Sequence, residues 1–457
     1  MRKILTSLFV IATINAYAQK SEGLKTITQN GVEAKLAFLS SDLLEGREAG
    51  ERGGYIAGEY IAAKLCELGL MPFDTLNTGI LPKYMQPFKA IKAFPKGATI
   101  SIENDDIETT YDSETDFDYT IIGQSVKIKG ELVLFDGSQD CKEKIAVIIG
   151  ENSKETIAEA TKKGATAIFC YNETKNNKTI AEKAFSYHVN ETMYEGYEPR
   201  TTFKDVKLVL DNSKPSVPVF NISKRMYDNV TSDSEASIKI TVKTEPRYLR
   251  NILGSIEGEI ADEYVIIGAH YDHLGVQDGY IYNGADDNGS GVVALMEIAE
   301  AMVASGMKPK RTVIFAFWDA EERGLYGSRY FVSQVENPND IKGYINFDMI
   351  GRGSEPNNYK SVSYMYTSST PQFKEILQSN VEETELDLKV RYAPNKNPIG
   401  GSDNTSFAEV GVPIAWFLTA GHPDYHQPSD EIEKINMEKI TKVAKAAYLV
   451  LFDYANN

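Results

Sequence analysis

A chain of 457 residues with 42% hydrophobic and 25% charged content is composed like a folded globular protein, and it is too long for one ordinary compact domain, so a large domain plus a smaller one is expected. Its 65 acidic against 48 basic residues leave a formal charge of -17, which argues against nucleic acid as a partner, because phosphate backbones are bound through basic surface. Three cysteines, Cys66, Cys141 and Cys170, are too few and too scattered for a disulfide scaffold or a thiolate metal cluster; they read mainly as buried thiols, with a Cys141 to Cys170 bridge left open.

The chain starts "MRKILTSLFVIATINAYAQ": basic Arg2 and Lys3, an apolar run from Ile4 to Ile14, then the small-x-small triplet Ala16, Tyr17, Ala18. That pattern predicts a secretory signal over 1–18, cut before Gln19, and hence a periplasmic or secreted protein. No later run reaches the roughly 18 consecutive apolar residues of a membrane span, and no cysteine stands at the cut to accept lipid.

From Tyr55 to Leu68 the apolar positions Ile56, Tyr60, Ile61, Leu65 and Leu68 recur at helical spacing, with Gly69 and Pro72 as stop signals. Residues 100–240 change to short strands around one strand-helix-strand unit, "KIAVIIG", "SKETIAEATKKG", "ATAIFCYNE", and are expected to form a separate β-rich unit between segments 19–99 and 241–457. Beyond Asn251, short apolar runs alternate with helical patterns, which predicts an α/β fold with a mixed, largely parallel central sheet flanked by helices.

Those apolar runs end on chemistry. "YVIIGAH" ends at His270, "TVIFAFWDAEE" runs into Glu321 and Glu322, "GYINFD" ends at Asp348, and "VPIAWFLTAG" leads to the loop with His426. In open parallel sheets ligands bind beyond the carboxyl ends of the strands, so these groups converge on one edge. "NGADDNGSG" adds the neighbouring carboxylates Asp286 and Asp287, which repel unless a proton or a cation lies near. Imidazole and carboxylate donors without sulfur suit zinc, and a carboxylate of the pair can bridge two ions because it has two oxygens. Taken singly, "HYDH" at 270–273 is most often a solvated loop, the glutamates acidic residues at a helix start, Asp348 a cap and His426 a surface group. His188, His273 and His422 keep that ordinary reading; convergence lifts the others. A calcium-loop spacing over Asp286, Asn288, Ser290, Gly291 and Glu297 lacks the preceding helix such a loop needs.

The ordered motifs "AHYDHLG", "NGADDNGSG", "DAEERGLYGS", "NFDMIG" and "DYHQPSD", together with the leading segment "LSSDLLEGREAGERGGYIAGEYIAAKL", resemble the secreted bacterial two-zinc aminopeptidases of the zinc exopeptidase superfamily, which also holds glutamate carboxypeptidases and the transferrin receptor ectodomain. Residues of about 125–225 look like a protease-associated domain, more weakly. The resemblance implies one zinc on His270 and Asp348, a second on Glu322 and His426, and Asp286 bridging, followed by a cis peptide to Asp287. It implies Glu321 as general base, Tyr425 as a hydrogen-bond donor to the oxyanion, and Asp272 and Asp430 as partners orienting His270 and His426, with Asp287 also in that outer set. Relatives often read serine-aspartate-histidine where this chain has Ser402, Asp403 and Asn404, so a substrate-side contact is expected to differ.

The expected protein is a secreted zinc metallopeptidase that hydrolyses the first bond of peptides with a free amino terminus. The alternatives on the same scaffold are carboxypeptidase, dipeptidase or glutaminyl cyclase chemistry, or a non-catalytic binding ectodomain.

Overall fold

The computed structural model describes residues 17–72, 79–113, 115–119, 122–150, 154–173, 207–210, 217–231, 234–277, 279–353, 360–419 and 421–457. Of the expected leader only the last two residues fall among these, at the start of a helix over 17–26, and His188 lies outside them. Among the described residues no helix is long and apolar enough to cross a membrane. Tertiary contacts divide the chain into two compact units, Met1–Phe88 with Tyr248–Asn457, and Lys89–Arg247. The second is wider at both ends than the 100–240 expected, because the long strands Met85–Asn104 and Glu235–Ile256 carry the chain through both boundaries.

The Lys89–Arg247 unit contains a parallel run of strands, Val126–Leu134, Ile145–Ile149, Ala167–Tyr171 and Val219–Ile222, with helix Lys154–Lys162 connecting the second to the third. The apolar runs that mark these strands in the sequence are buried: Ile145, Val147, Phe169 and Phe220 pack into one cluster with Phe117 and Ile238. Burying side chains of this size contributes about 1.5–3 kcal/mol each. Cys141 and Cys170 are buried and Cys66 is partly exposed, and no disulfide bridge joins the first two.

The larger unit is built from α1 (Gln29–Leu39), α2 (Arg52–Glu67), β1 (Ile260–His270), α3 (Gly291–Ala304), β2 (Arg311–Trp318), α4 (Tyr326–Ser333), β3 (Ile341–Asp348), β4 (Ser361–Thr367), α5 (Gln372–Glu383), β5 (Lys389–Asn395), β6 (Ile414–Leu418) and α6 (Met437–Tyr454). Its sheet runs β5-β4-β6-β3-β1-β2 and is closed on the far side by residues 252–256, antiparallel to β2. The four central strands β2, β1, β3 and β6 are all parallel, and β4 is antiparallel to β6. Central strands carry near-continuous apolar runs because both faces are covered, as at Val265, Ile266 and Ile267 on β1, all sealed from solvent.

Helix α3 is buried over most of its surface, and Glu297 goes inside with it although it lies off the apolar stripe of Val292, Leu295, Met296 and Ala299. The carboxylate is matched there by Lys35 of α1, and it accepts the Thr28 amide at 3.1 Å. A buried carboxylate persists only when paired and hydrogen-bonded in this way. Parallel register brings His270 opposite Trp318, and Asp348 opposite Leu418, so the strand tips end level at one edge.

Candidate metal centre

At that edge each chain turns sharply as its strand ends. Ala320 (φ 58), just before Glu321, Met349 (φ 56), just after Asp348, and His426 itself (φ 54) all adopt the left-handed conformation that L-residues avoid. Such backbone persists where surrounding structure holds it, commonly at functional sites.

The turns bring the donors together. His270 Nε2 lies 3.7 Å from Asp348 Oδ2 and 3.5 Å from Asp287 Oδ1. His426 Nε2 lies 3.1 Å from Asp287 Oδ2 and 3.2 Å from Glu322 Oε2. Donors about 2.0–2.1 Å from a tetrahedral zinc stand about 3.3 Å from each other, so both groups have the spacing of a coordination shell. Both Nε2 atoms are buried without a hydrogen-bond partner. His270 donates from Nδ1 to the Asp272 carbonyl at 3.2 Å, which leaves Nε2, on the side of the carboxylates, as the nitrogen that can bind a metal once deprotonated. Nitrogen and oxygen donors, orphaned imidazole atoms and matching separations together fit zinc.

The carboxylate shared by the two groups is Asp287, one residue beyond the expected Asp286. Both oxygens of Asp286 are taken elsewhere: Oδ1 accepts the Gly351 amide at 2.6 Å and Oδ2 accepts from His422 Nε2 at 3.1 Å. Neighbouring side chains on a turn diverge, so only one of the pair can enter the cluster. The cis peptide also stands one residue later than expected, between Asp287 and Asn288. Asp430 does not orient His426; its carboxylate accepts the amides of Asp286 (3.0 and 3.1 Å) and Asp287 (3.0 Å), clamping the turn itself. Asp272 serves His270 through its carbonyl, while its carboxylate accepts the Glu321 amide at 2.9 Å and the Glu322 amide at 3.4 Å.

Comparison with known proteins finds relatives over the same stretch of chain. The model of peptidase family M28 matches residues 251–451, the stretch that supplies every donor named above. Residues 251–451 are a peptidase family M28 domain. The chain is similar to a glutamate carboxypeptidase 2 homolog of Caenorhabditis elegans, 29% identical over 219 residues, covering 43% of this chain and 27% of that one. It is similar to aminopeptidase YwaD of Bacillus subtilis (strain 168), 26% identical over 295 residues, covering 62% of this chain and 59% of that one. The chain thus spans less than two thirds of the length of either relative. In fold it resembles the solved aminopeptidase from Aneurinibacillus sp. strain AM-1, with a TM-score of 0.61, 22% identity and 96% coverage of both chains.

Two histidines given an ordinary reading in the sequence belong to the M28 site. His273 is buried and donates from Nδ1 to Glu322 Oε1 at 2.7 Å, holding that carboxylate while its other oxygen faces His426. His422 ties Asp286 to the loop that carries His426. The doubled histidine in "HYDH" was a usable signal for the first; nothing in local spacing pointed to the second.

Glu321 stands beside the donors, its Oε2 3.9 Å from His270 Nε2, and lines a pocket of about 140 Å³ with Asp287, Asp348, Trp416, Tyr425 and His426. Tyr425 is stacked on the His426 ring, with centroids 3.8 Å apart. The departure at Asn404 does not face the pocket: its Nδ2 donates to the carbonyls of Pro398 (2.6 Å) and Gly400 (3.3 Å), tying together its own loop.

Negative charge dominates the M28 site. Burial pushes Asp319 and Asp403 up to about 7, the first further raised by Asp272. Burial works against a charged His426, yet Glu322 and Asp287 outweigh it and push that imidazole up to about 11. Buried carboxylates in this number demand positive charge nearby.

Proposed function

We propose that the protein is a zinc aminopeptidase, with one ion held by His270, Asp348 and Asp287 and a second by His426, Glu322 and Asp287. The single observation behind this reading is that the two oxygens of Asp287 face two separate imidazoles. The ions would supply Lewis acidity toward the scissile carbonyl and toward the attacking water. Glu321, adjacent to a ligand yet facing the pocket, takes the proton of that water and passes it to the leaving amine. Tyr425 is kept protonated because burial, then Asp287 and Glu322, raise its pKa, so its hydroxyl can donate to the oxyanion. Carboxylates lining the pocket suit the ammonium of a free amino terminus. The leader-like start supports a periplasmic or secreted setting, and the β-rich Lys89–Arg247 unit takes the place of a protease-associated domain.

The test compares one peptide with a free and with an acetylated amino terminus, with and without a chelator. The expected result is cleavage of the free form alone, releasing its first residue, and its loss on chelation. Equal cleavage of both forms overturns the aminopeptidase reading. Release of the last residue from the acetylated form would establish carboxypeptidase chemistry, which the name of the nematode relative keeps in view.

A further inference from the structure

The leading segment "LEGREAG" contains a charged side chain to which the zinc reading gives no task. Arg47 is 1% exposed and adopts the left-handed conformation, φ 49. Burial lowers its pKa to about 10, against the pull of Asp287 and Asp272, so it is charged at neutral pH. Four main-chain carbonyls, not carboxylates, take its hydrogen bonds. Nε donates to Tyr271 O at 2.8 Å, Nη1 to Leu39 O at 2.7 Å and also to Asn283 O, and Nη2 to Gly284 O at 3.0 Å.

These carbonyls belong to the parts that carry the metal donors. Tyr271 directly follows His270 at the tip of β1, while Asn283 and Gly284 open the turn that delivers Asp287. The Arg47 main chain joins the same segments, since its carbonyl accepts the His273 amide at 3.2 Å. Next to it the backbone passes so closely that a Cβ on Gly46 would come 2.5 Å from Tyr282 O and 2.6 Å from Gly275 O. A guanidinium is planar, with donors in a rigid fork, so carbonyls bound to its different edges stand at a set separation. Lysine carries the same charge without the fork.

We propose that Arg47 is a positioning residue of the metal centre: through the carbonyls beside His270 and before Asp287 it sets the separation of those two donors, and with it the zinc affinity of the site they share. This rests on the zinc reading above. A purely structural staple would stabilise the metal-free and metal-loaded protein alike; a positioning residue affects the loaded state selectively.

The experiment uses the full chain and its Arg47→Lys and Arg47→Met variants, stripped of metal and titrated with zinc against a competing chromophoric chelator, with melting curves before and after loading. The expected result is two zinc ions in the unsubstituted chain, and in both variants one ion bound about 10–100-fold more weakly, with a smaller rise in Tm on loading. Zinc binding at unsubstituted affinity in both variants overturns the proposal, as does an equal fall in Tm of stripped and loaded forms. Should Arg47→Met fail to fold, Arg47→Lys decides alone, since unaltered zinc affinity without the fork is enough to refute it. Failure of the unsubstituted chain to bind zinc strikes the zinc reading itself, and the arginine's role with it.

Discussion

His422 donates from Nε2 to Asp286 Oδ2 across 3.1 Å, and both side chains are sealed from solvent. With the Gly351 amide on its other oxygen, Asp286 is a hub between the aspartate turn, the tip of β3 and the His426 loop. Asp286→Ala would strand two buried donors, at about 1–3 kcal/mol each. We expect that variant to lose several kcal/mol of unfolding free energy yet still load zinc, and Asp287→Ala to lose bound zinc. Denaturant unfolding and metal analysis of the purified variants check the pair; the reverse pattern would return the bridging role to Asp286.

Glu321→Gln removes the proton acceptor and leaves the ligand set untouched. Two bound zinc ions and a turnover about 10²–10⁴-fold lower are expected. Metal content and kcat on a free-amine peptide are the measurements, and unaltered turnover would remove Glu321 from its role.

His273 acts on the site through Glu322, to which it donates at 2.7 Å. His273→Ala should weaken the zinc held by Glu322 and His426 by about 10–100-fold and leave the other ion in place. Zinc titration that reports two affinities resolves this, and a uniform loss at both positions would count against it.

Protons compete with metal for the same atoms. In the ion-free chain His426 is pushed up to about 11, so at neutral pH it is protonated and must release that proton to bind zinc. A group whose folded pKa is raised gives up its proton more readily as pH climbs, so zinc affinity should rise with pH and fall on acidification, by about tenfold per unit for each proton displaced. Competition titrations between pH 6 and 8 read the slope; a flat profile would mean that no proton leaves the imidazole on binding and that its raised pKa is wrong.

Much of the site was legible in the chain because apolar runs in a parallel sheet end level. His270 and Asp348 end their strands and the Glu321, Glu322 pair follows the short turn after β2, so their convergence follows from run lengths and the rule that ligands gather at that edge. The choice between Asp286 and Asp287 could not be read this way. Two identical side chains on one turn differ only in direction, and direction was decided by Gly351, His422 and Asp430, which arrive from distant parts of the chain. Glu297 shows the same limit: a helical stripe predicts which face is apolar, but not that Lys35 would accompany a carboxylate into the interior.

The amino-acid sequence by itself therefore determined the sheet, the edge at which the chemistry gathers and the types of donor found there, since these depend on local periodicity and on where each apolar run stops. The tertiary structure alone decided which aspartate faces both imidazoles, that His273 and His422 have partners, and that Arg47 spans the strand tip and the aspartate turn. Those outcomes depend on hydrogen-bond directions between segments remote in sequence, and local spacing carries no record of them.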